Sequence, residues 1–122
     1  MRLVVELPSS PRAPARARAA LSGTRTALDE DLHADLVLVV SELVTNSVKY
    51  GPGRPIRIDV ETDGPRKVRG EVVDQGEGAE LVAAAAPDDD EPGGRGLRIV
   101  DQLARWGVRE GSTHVWFELG DG

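Results

Sequence analysis

Cysteine is missing from this sequence, and aromatic residues are scarce. Without cysteine the chain forms no disulfide and offers no thiolate to a metal. This composition is typical of proteins in a reducing cytoplasm, which is the localisation we predict. Aromatic residues make up 3% and hydrophobic residues 39% of the 122 residues. The chain can therefore bury a core, and we expect that core to consist of Val, Leu, Ile and Ala.

Long hydrophobic runs and an excess of positive charge are missing as well. No apolar run approaches the ~18 residues of a membrane span, and the first seven residues are too few and too charged for a signal peptide. The formal net charge is −6, which disfavours a non-specific nucleic-acid binder because such proteins need basic charge. We expect neither a membrane nor nucleic acid as a partner, and a single domain over residues 1–122.

Hydrophobic periodicity and turn residues divide the chain into short elements. They predict strands at 2–7, 56–62, 67–74, 106–109 and 113–119, and helices at 11–21, 29–50 and 96–105. Ser10 is expected to cap the first helix, with Pro11 at its first position. Since strands and helices do not alternate strictly, we predict an α+β fold. It is a two-layer α/β sandwich whose mixed, mostly antiparallel sheet is covered on one face by helices.

The most informative stretch is residues 40–51, VSELVTNSVKYG, in the second predicted helix. Apolar residues at 32, 36, 39, 40 and 43, with the small Ser47, define its core face. Glu42 and Asn46 lie one turn apart, about 6 Å, at the edge of that face. A carboxylate can activate or orient a nucleophile, and an amide oxygen can bind Mg²⁺. Taken alone, the pair also fits a solvated helix surface.

Two glycine-rich segments follow. Residues 72–78, VVDQGEG, form a β-branched run that ends in Asp74, with Gly76 and Gly78 behind it. A strand-end Asp can accept a hydrogen bond from an exocyclic amine such as that of adenine, or it can cap a turn. Residues 92–100, PGGRGLRIV, place glycines before a helical pattern, and free N–H groups at a helix N-terminus bind phosphate. Each cluster alone fits an ordinary turn.

Together, in this order and spacing, the three segments resemble the N, G1 and G2 boxes of the GHKL ATPase superfamily, which includes gyrase, Hsp90 and histidine-kinase ATP-binding domains. The resemblance runs from about residue 10 to the C-terminus. It is closest to the small anti-sigma-factor serine kinases and their actinobacterial relatives. It implies a histidine-kinase/Hsp90-like ATPase fold, ATP and Mg²⁺ as ligands, and an ATP lid at about 79–95. From composition alone, residues 79–93 also fit a disordered surface loop.

The resemblance implies a role for each matching residue. Asp74 would contact the adenine amino group, Asn46 would bind Mg²⁺, and Glu42 would be the general base for a seryl hydroxyl or a water. Gly76 and Gly78 would shape the base pocket. The remaining nucleotide-binding positions are Tyr50, Gly94, Arg95, Gly96, Leu97 and Thr113. For Thr113, ordinary strand propensity is nearly as good an explanation.

Two positions depart from the pattern of these kinases. Tyr50 stands where a His often follows the Asn by one turn, and Pro92 stands where a basic residue precedes the glycines. Arg95 would be placed to supply the missing charge. Both departures are compatible with ATP binding but put phosphorylation of a protein partner in question. His33, near a helix start, is interpreted as structural.

We therefore predict an ATP-binding regulatory protein that resembles anti-sigma-factor serine/threonine-protein kinases. It would phosphorylate or sequester a partner such as a sigma factor or an anti-anti-sigma protein, and a homodimer is left open. The alternative is a catalytically inactive nucleotide-binding interaction module, which the two departures favour somewhat. A stand-alone ATPase like gyrase or Hsp90 is disfavoured, because those proteins couple hydrolysis to large additional domains.

Overall fold

Helices and strands follow one another in the predicted order. The structure, a computed structural model, describes residues 1–51, 53–74, 92–109 and 114–120, and residues 92–97 through their backbone alone. Its helices are α1 (Ala13–Leu21), α2 (Glu30–Tyr50) and α3 (Pro92–Leu103), and a 3₁₀ turn spans Ser22–Thr24. Its strands are β1 (Arg2–Leu7), β2 (Ile56–Thr62), β3 (Lys67–Val73), β4 (Arg105–Val108) and β5 (Val115–Gly120).

The strands form a sheet in the order β1-β2-β3-β5-β4. Each pairing within the described ranges is antiparallel, so the parallel component that we expected of a mixed sheet does not occur there. Strand β5 lies between β3 and β4, and the central strand β3 lies between β2 and β5. The α+β two-layer sandwich predicted from the sequence is confirmed.

The core lies between the helices and one face of the sheet. Alternation along each strand sends every second side chain to that face. In β2, Ile56, Ile58 and Val60 are fully buried, and the residues between them are not. The predicted core face of α2 is confirmed, with Leu32 at its half-buried margin. The buried apolar residues of α2 are Leu36, Val39, Val40, Leu43 and Val44.

The largest fully buried side chain is an aromatic one, which corrects our expectation of a purely aliphatic core. Phe117 of β5 faces inward and lies directly opposite Gly70 of β3. A Cβ on Gly70 would come within 2.6 Å of the Phe117 ring. A glycine in mid-strand gives up side-chain packing, and here its missing side chain makes room for the only Phe of the sequence.

Two helix starts differ from the sequence prediction. Helix α1 begins at Ala13 after Arg12, so Ser10 is not its N-cap, and the proline inside its first turn is Pro14. Ser10 instead accepts a hydrogen bond from the Arg12 backbone N–H at 3.3 Å. Helix α3 begins at Pro92 and ends at Leu103. Proline favours the first helical position because its missing N–H has no partner to lose there. The glycines at 93, 94 and 96 therefore lie within the helix rather than before it.

His33 connects the first two helices. Its Nε2 lies 3.1 Å from the carbonyl oxygen of Leu21, the last residue of α1. The same oxygen accepts a hydrogen bond from the Thr24 hydroxyl at 2.8 Å. His33 and Thr24 thus share the carbonyl at the end of α1, which supports the structural role predicted for His33. Within residues 1–51, 53–74, 92–109 and 114–120, no helix combines the length and the apolar character that crossing a membrane requires.

Candidate functional site

The C-terminal half of α2 carries a polar stripe on an otherwise apolar helix. The helix begins after Asp29 and has two acids in its first turn, where they favour the positive end of the helix dipole. Glu42, Asn46 and Tyr50 follow at intervals of four residues, which places them one above another on the helix surface. Asn46 is buried, with 6% exposure, whereas Glu42 and Tyr50 are half-buried. The stripe therefore lies at the edge of the core.

Two hydroxyl groups near this stripe are bound within the helix. Thr45 donates to the Ser41 carbonyl oxygen at 2.7 Å, and Ser41 donates to the Leu38 carbonyl oxygen at 3.3 Å. Such bonds back to the preceding turn satisfy a hydroxyl without any outside partner. The acid and the amide of the stripe, rather than these hydroxyls, are therefore the groups suited to a ligand.

Asp74 follows β3 in the inward-facing register. Val68, Gly70 and Val72 of β3 point toward the helices, and two residues further the same alternation brings in the Asp74 side chain, which is 1% exposed. Burying a carboxylate carries a desolvation cost that its partners must offset. A chain built for stability alone would place an apolar residue here, so Asp74 is the strongest candidate for a functional side chain.

Gly51 joins the end of α2 to Asp74. A Cβ on Gly51 would lie 2.7 Å from Asp74 Oδ2 and 2.4 Å from the Ser47 carbonyl oxygen. The φ angle of Gly51 is −79°, so glycine is required by this close approach and not by backbone conformation. The sequence marked Gly51 as a helix stop only. Its contact with Asp74, 23 residues away, is formed by the tertiary fold and had no signal in the local pattern.

The structure thus brings Gly51, at the end of α2, against Asp74, and Tyr50, Asn46 and Glu42 lie on the turns of α2 that precede Gly51. Gly94, Arg95, Gly96 and Leu97 lie in the first turns of α3, which packs against α2; their backbone alone is described. Gly76, Gly78 and Thr113 lie outside the described residues, as do residues 79–91 of the predicted lid. Their roles stay predictions.

The oxygen donors of this site fit a cation that takes few ligands from the protein and most of them from water and substrate. Among the described residues there is no group of three or more His, Asp or Glu side chains that could hold a metal ion. Mg²⁺ typically takes one or two protein oxygens, together with waters and substrate phosphates. The Asn46 amide oxygen suits that arrangement, because it is presented from a rigid helix at the edge of the core.

The opposite face of the sheet carries charged residues in pairs. Arg2 binds Asp59 at 2.7 Å, and Glu71 lies 2.8 Å from Arg109 and 2.7 Å from His114. The hydrogen bond from Arg2 lowers the pKa of Asp59 below its ordinary 3.8, although partial burial opposes it. Burial raises the pKa of Glu71, but Arg109 and His114 outweigh it and the net pKa is below the ordinary 4.5.

An open groove of about 330 Å³ runs over this charged face, with walls formed by Arg2, Asp59, Glu71 and Trp116 among others. The cations and carboxylates of its walls already bind one another within the protein. A ligand would have to displace those pairs. The buried Asp74 against Gly51, with the buried Asn46 on the preceding part of α2, is therefore the better candidate site.

The comparisons with known proteins identify the class to which this two-layer sandwich belongs. The histidine kinase-like ATPase domain family matches residues 7–117. This chain belongs to that family, as its resemblance to the GHKL superfamily predicted. No curated protein is a significant match to the sequence.

A solved structure with a similar fold is the crystal structure of the RsbU and RsbW domains of Rv1364c from Mycobacterium tuberculosis. The two chains superimpose with a TM-score of 0.64 at 23% sequence identity. The match covers 98% of this chain and 31% of that chain. At this identity the similarity establishes the shared fold.

Proposed function

We propose that this protein binds Mg-ATP and regulates a protein partner, as anti-sigma-factor serine kinases do. The observation that carries the proposal is Asp74, a carboxylate with 1% exposure that faces inward at the end of β3 against Gly51. An ATPase-domain family supplies a reason for that costly position, because a buried carboxylate can accept a hydrogen bond from the adenine amino group. That single bond would select adenine over bases that lack an amino donor at this point.

Asn46 and Glu42 would act at the phosphate end of the nucleotide. The Asn46 amide oxygen would be a ligand of Mg²⁺, which supplies positive charge to the phosphates when bound. Glu42, one turn earlier and half-buried, would hold a seryl hydroxyl. In the transfer, the seryl oxygen bonds to the γ-phosphorus, the bond from that phosphorus to the β–γ bridging oxygen breaks, and ADP leaves. The hydroxyl proton goes to Glu42 and then to solvent.

The partner would be a sigma factor, held by binding, or an anti-anti-sigma protein, phosphorylated on serine. The RsbW domain named in the similar structure supports this choice through fold alone. A cytoplasmic location would follow from such partners, and the sequence composition is consistent with it. The protein would then be an ATP-dependent protein serine kinase.

Calorimetry with ATP and Mg²⁺ tests the proposal. Asp74→Asn should lower the affinity about a hundredfold, since losing a charge-assisted buried hydrogen bond costs roughly 2–3 kcal/mol. Asp59→Asn is the matched control, because it removes the same charge from a neighbouring strand on the opposite face. We expect the control to bind within about twofold of wild type. Unchanged affinity in Asp74→Asn, or no binding by wild type, would refute the adenine assignment.

A second candidate function is a nucleotide-binding module without phosphotransfer. Two observations favour it: Tyr50 is half-buried on the stripe with Asn46, and Pro92 opens α3, so neither position offers the His or the basic residue of active kinases. Radiolabelled γ-phosphate separates the two candidates. Transfer to a purified anti-anti-sigma protein supports the kinase, whereas nucleotide-dependent binding without transfer supports the module.

A further inference from the structure

Ser47 carries a buried hydroxyl group that the fold itself does not use. The residue is 5% exposed and lies on the core face of α2, one turn after Leu43. Within the part of the chain that the structure describes, the Ser47 hydroxyl takes part in no hydrogen bond. A buried hydroxyl without a partner destabilises a protein, whereas an alanine fills the same place without that cost. Packing alone therefore does not account for serine at this position.

The other Ser and Thr residues of α2 do have partners. The hydroxyls of Ser41 and Thr45 both donate to carbonyl oxygens of the preceding turn, at 3.3 Å and 2.7 Å. Such a bond satisfies a hydroxyl inside its own helix. The carbonyl oxygen of Leu43 offers the same bond to Ser47, but the Ser47 hydroxyl does not form it. This O–H group is therefore available to a molecule from outside the chain.

Ser47 also belongs to the turn of α2 that meets Asp74. Its carbonyl oxygen accepts a hydrogen bond from the Gly51 N–H at 2.9 Å, which closes the last turn of the helix. A Cβ on Gly51 would lie 2.4 Å from that carbonyl oxygen and 2.7 Å from Asp74 Oδ2. The backbone of Ser47 and the carboxylate of Asp74 thus converge on one point at the end of α2. A ligand that binds Asp74 has its neighbouring atoms close to Ser47.

The polar groups of adenine match these two side chains in order. In the proposed function, on which this assignment rests, Asp74 accepts a hydrogen bond from the adenine amino group. On the same edge of the base, that donor is followed by the ring nitrogen N1, which is an acceptor. An ionised carboxylate can only accept, and a serine hydroxyl can donate. One acceptor and one donor from the protein therefore satisfy two adjacent groups of adenine.

We propose that Ser47 is a specificity-determining residue of the nucleotide site, with its hydroxyl donating a hydrogen bond to N1 of adenine, directly or through one water. Asp74 and Ser47 then bind two neighbouring groups on one edge of the base and fix its orientation. The Ser47 hydroxyl gains its partner only when nucleotide binds. A base without an acceptor at N1 leaves it unsatisfied, and this difference is what discriminates between the two ligands.

The ring nitrogen N1 allows the role of Ser47 to be measured apart from that of Asp74. GTP would test both residues at once, because guanine carries a carbonyl group in place of the adenine amino group and an N–H in place of the acceptor. In 1-deaza-ATP a C–H group replaces N1, and the amino group remains. The analogue therefore removes the acceptor for Ser47 and keeps the donor for Asp74.

Calorimetry of the full chain with ATP and with 1-deaza-ATP, each with Mg²⁺, tests the proposal. Wild type should bind 1-deaza-ATP about tenfold more weakly than ATP, because one buried hydrogen bond is lost. Ser47→Ala should bind ATP about tenfold more weakly than wild type does, and should bind the two nucleotides within about twofold of each other. Ser41→Ala is the matched control. It removes a buried hydroxyl from the same helix whose bond is internal, and it should discriminate as wild type does.

Thermal unfolding without nucleotide gives a second readout, which a purely structural serine would move in the opposite direction. Ser47→Ala removes a hydroxyl that has no partner in the fold and introduces the residue with the highest helix propensity. Its melting temperature should therefore rise by about 2–4 °C, although its affinity for ATP falls. A serine that stabilised the fold through its hydroxyl would give a lower melting temperature on the same substitution.

The outcomes separate this assignment from the proposed function. Failure of wild type to bind ATP would refute the proposed function, and the role of Ser47 with it. Wild type that binds ATP and 1-deaza-ATP equally well would overturn the role of Ser47 alone, and so would a Ser47→Ala variant that still discriminates between them. A melting temperature of Ser47→Ala below that of wild type would show that the hydroxyl serves the fold, and would overturn the assignment as well.

Discussion

Acidic residues have opposite environments on the two faces of the sheet. Asp74 points toward the helices, is nearly inaccessible, and lies against the backbone of Gly51. Asp59 of β2 points away from the helices and binds Arg2 at 2.7 Å. The position of Asp59 needs no special reason, since Arg2 donates two hydrogen bonds to its carboxylate. An inward acid is costly, and a costly residue is informative about function because packing alone would not select it.

The largest effect on phosphotransfer should come from substituting a glutamate on the helix side of the sheet. The same substitution on the outer face is the control. Glu42→Gln should lower phosphotransfer by at least about a hundredfold while nucleotide still binds, because the amide cannot take the seryl proton. Glu61→Gln makes the same change on the outer face, where Glu61 binds Arg69 at 3.0 Å, and should leave transfer within about twofold.

Asn46→Ala separates the contribution of the metal from that of the nucleotide. It should weaken the Mg²⁺-dependent part of ATP affinity and leave the Mg²⁺-independent part, since an alanine offers no oxygen ligand. Titrations with and without Mg²⁺ measure both parts. If the variants at 42 and 46 transferred phosphate at the wild-type rate, as the control at 61 should, the chemistry would lie elsewhere in the protein.

A substitution at Gly51, where the end of α2 meets Asp74, should have a smaller effect on stability and on ATP affinity. In Gly51→Ala, the new methyl group would lie 2.7 Å from Asp74 Oδ2, and the helix end and the carboxylate must separate. We expect a loss of about 1–3 kcal/mol in the free energy of unfolding and a drop of about tenfold in ATP affinity. Gly23→Ala is the control, because its nearest neighbour would be the flexible end of Met1 at 4.0 Å.

Urea unfolding and calorimetry measure the two effects in parallel. Equal behaviour of Gly51→Ala and Gly23→Ala would show that the approach of α2 to Asp74 has no role in either stability or binding. A loss of stability with full ATP affinity would separate the glycine from the nucleotide site and leave it a purely structural residue.

The local pattern predicted the elements and both buried polar candidates, but not the contacts between them. The bounds of β2 and the end of α2 at Tyr50 are as predicted, since alternation and helical periodicity are local properties. Asn46 and Asp74 were recognisable as polar residues in apolar runs. The contact of Gly51 with Asp74 and the fit of Phe117 over Gly70 join distant segments, and no short-range signal encodes them. The same holds for the insertion of β5 beside β3.

We expect acid to reduce the stability that the carboxylates of the outer face contribute. Asp59 and Glu71 have pKa values lowered by the folded structure, so the unfolded chain binds their protons more readily. Their contribution to stability is complete above about pH 4.5 and is lost as the pH falls through the lower folded values. We expect the free energy of unfolding to decline below about pH 4.5, and Glu71→Gln to reduce that decline. A profile that stays flat from pH 6 to pH 3 would contradict this account.

The smallest expected effect is the coupling between Glu61 and Arg69. Their atoms approach to 3.0 Å, but the side chains are 46% and 52% exposed. Exposed ion pairs contribute about 0–1 kcal/mol, because water screens the attraction and two long side chains lose freedom. A double-mutant cycle with Glu61→Gln and Arg69→Met, measured by urea unfolding at low and high salt, should give a coupling near 0.3–0.5 kcal/mol that declines with salt. A coupling above about 1.5 kcal/mol would show that the outer charges act as a network. In that case the outward face would contribute to stability as strongly as buried polar groups do, and position in the sheet would no longer separate structural charges from functional ones.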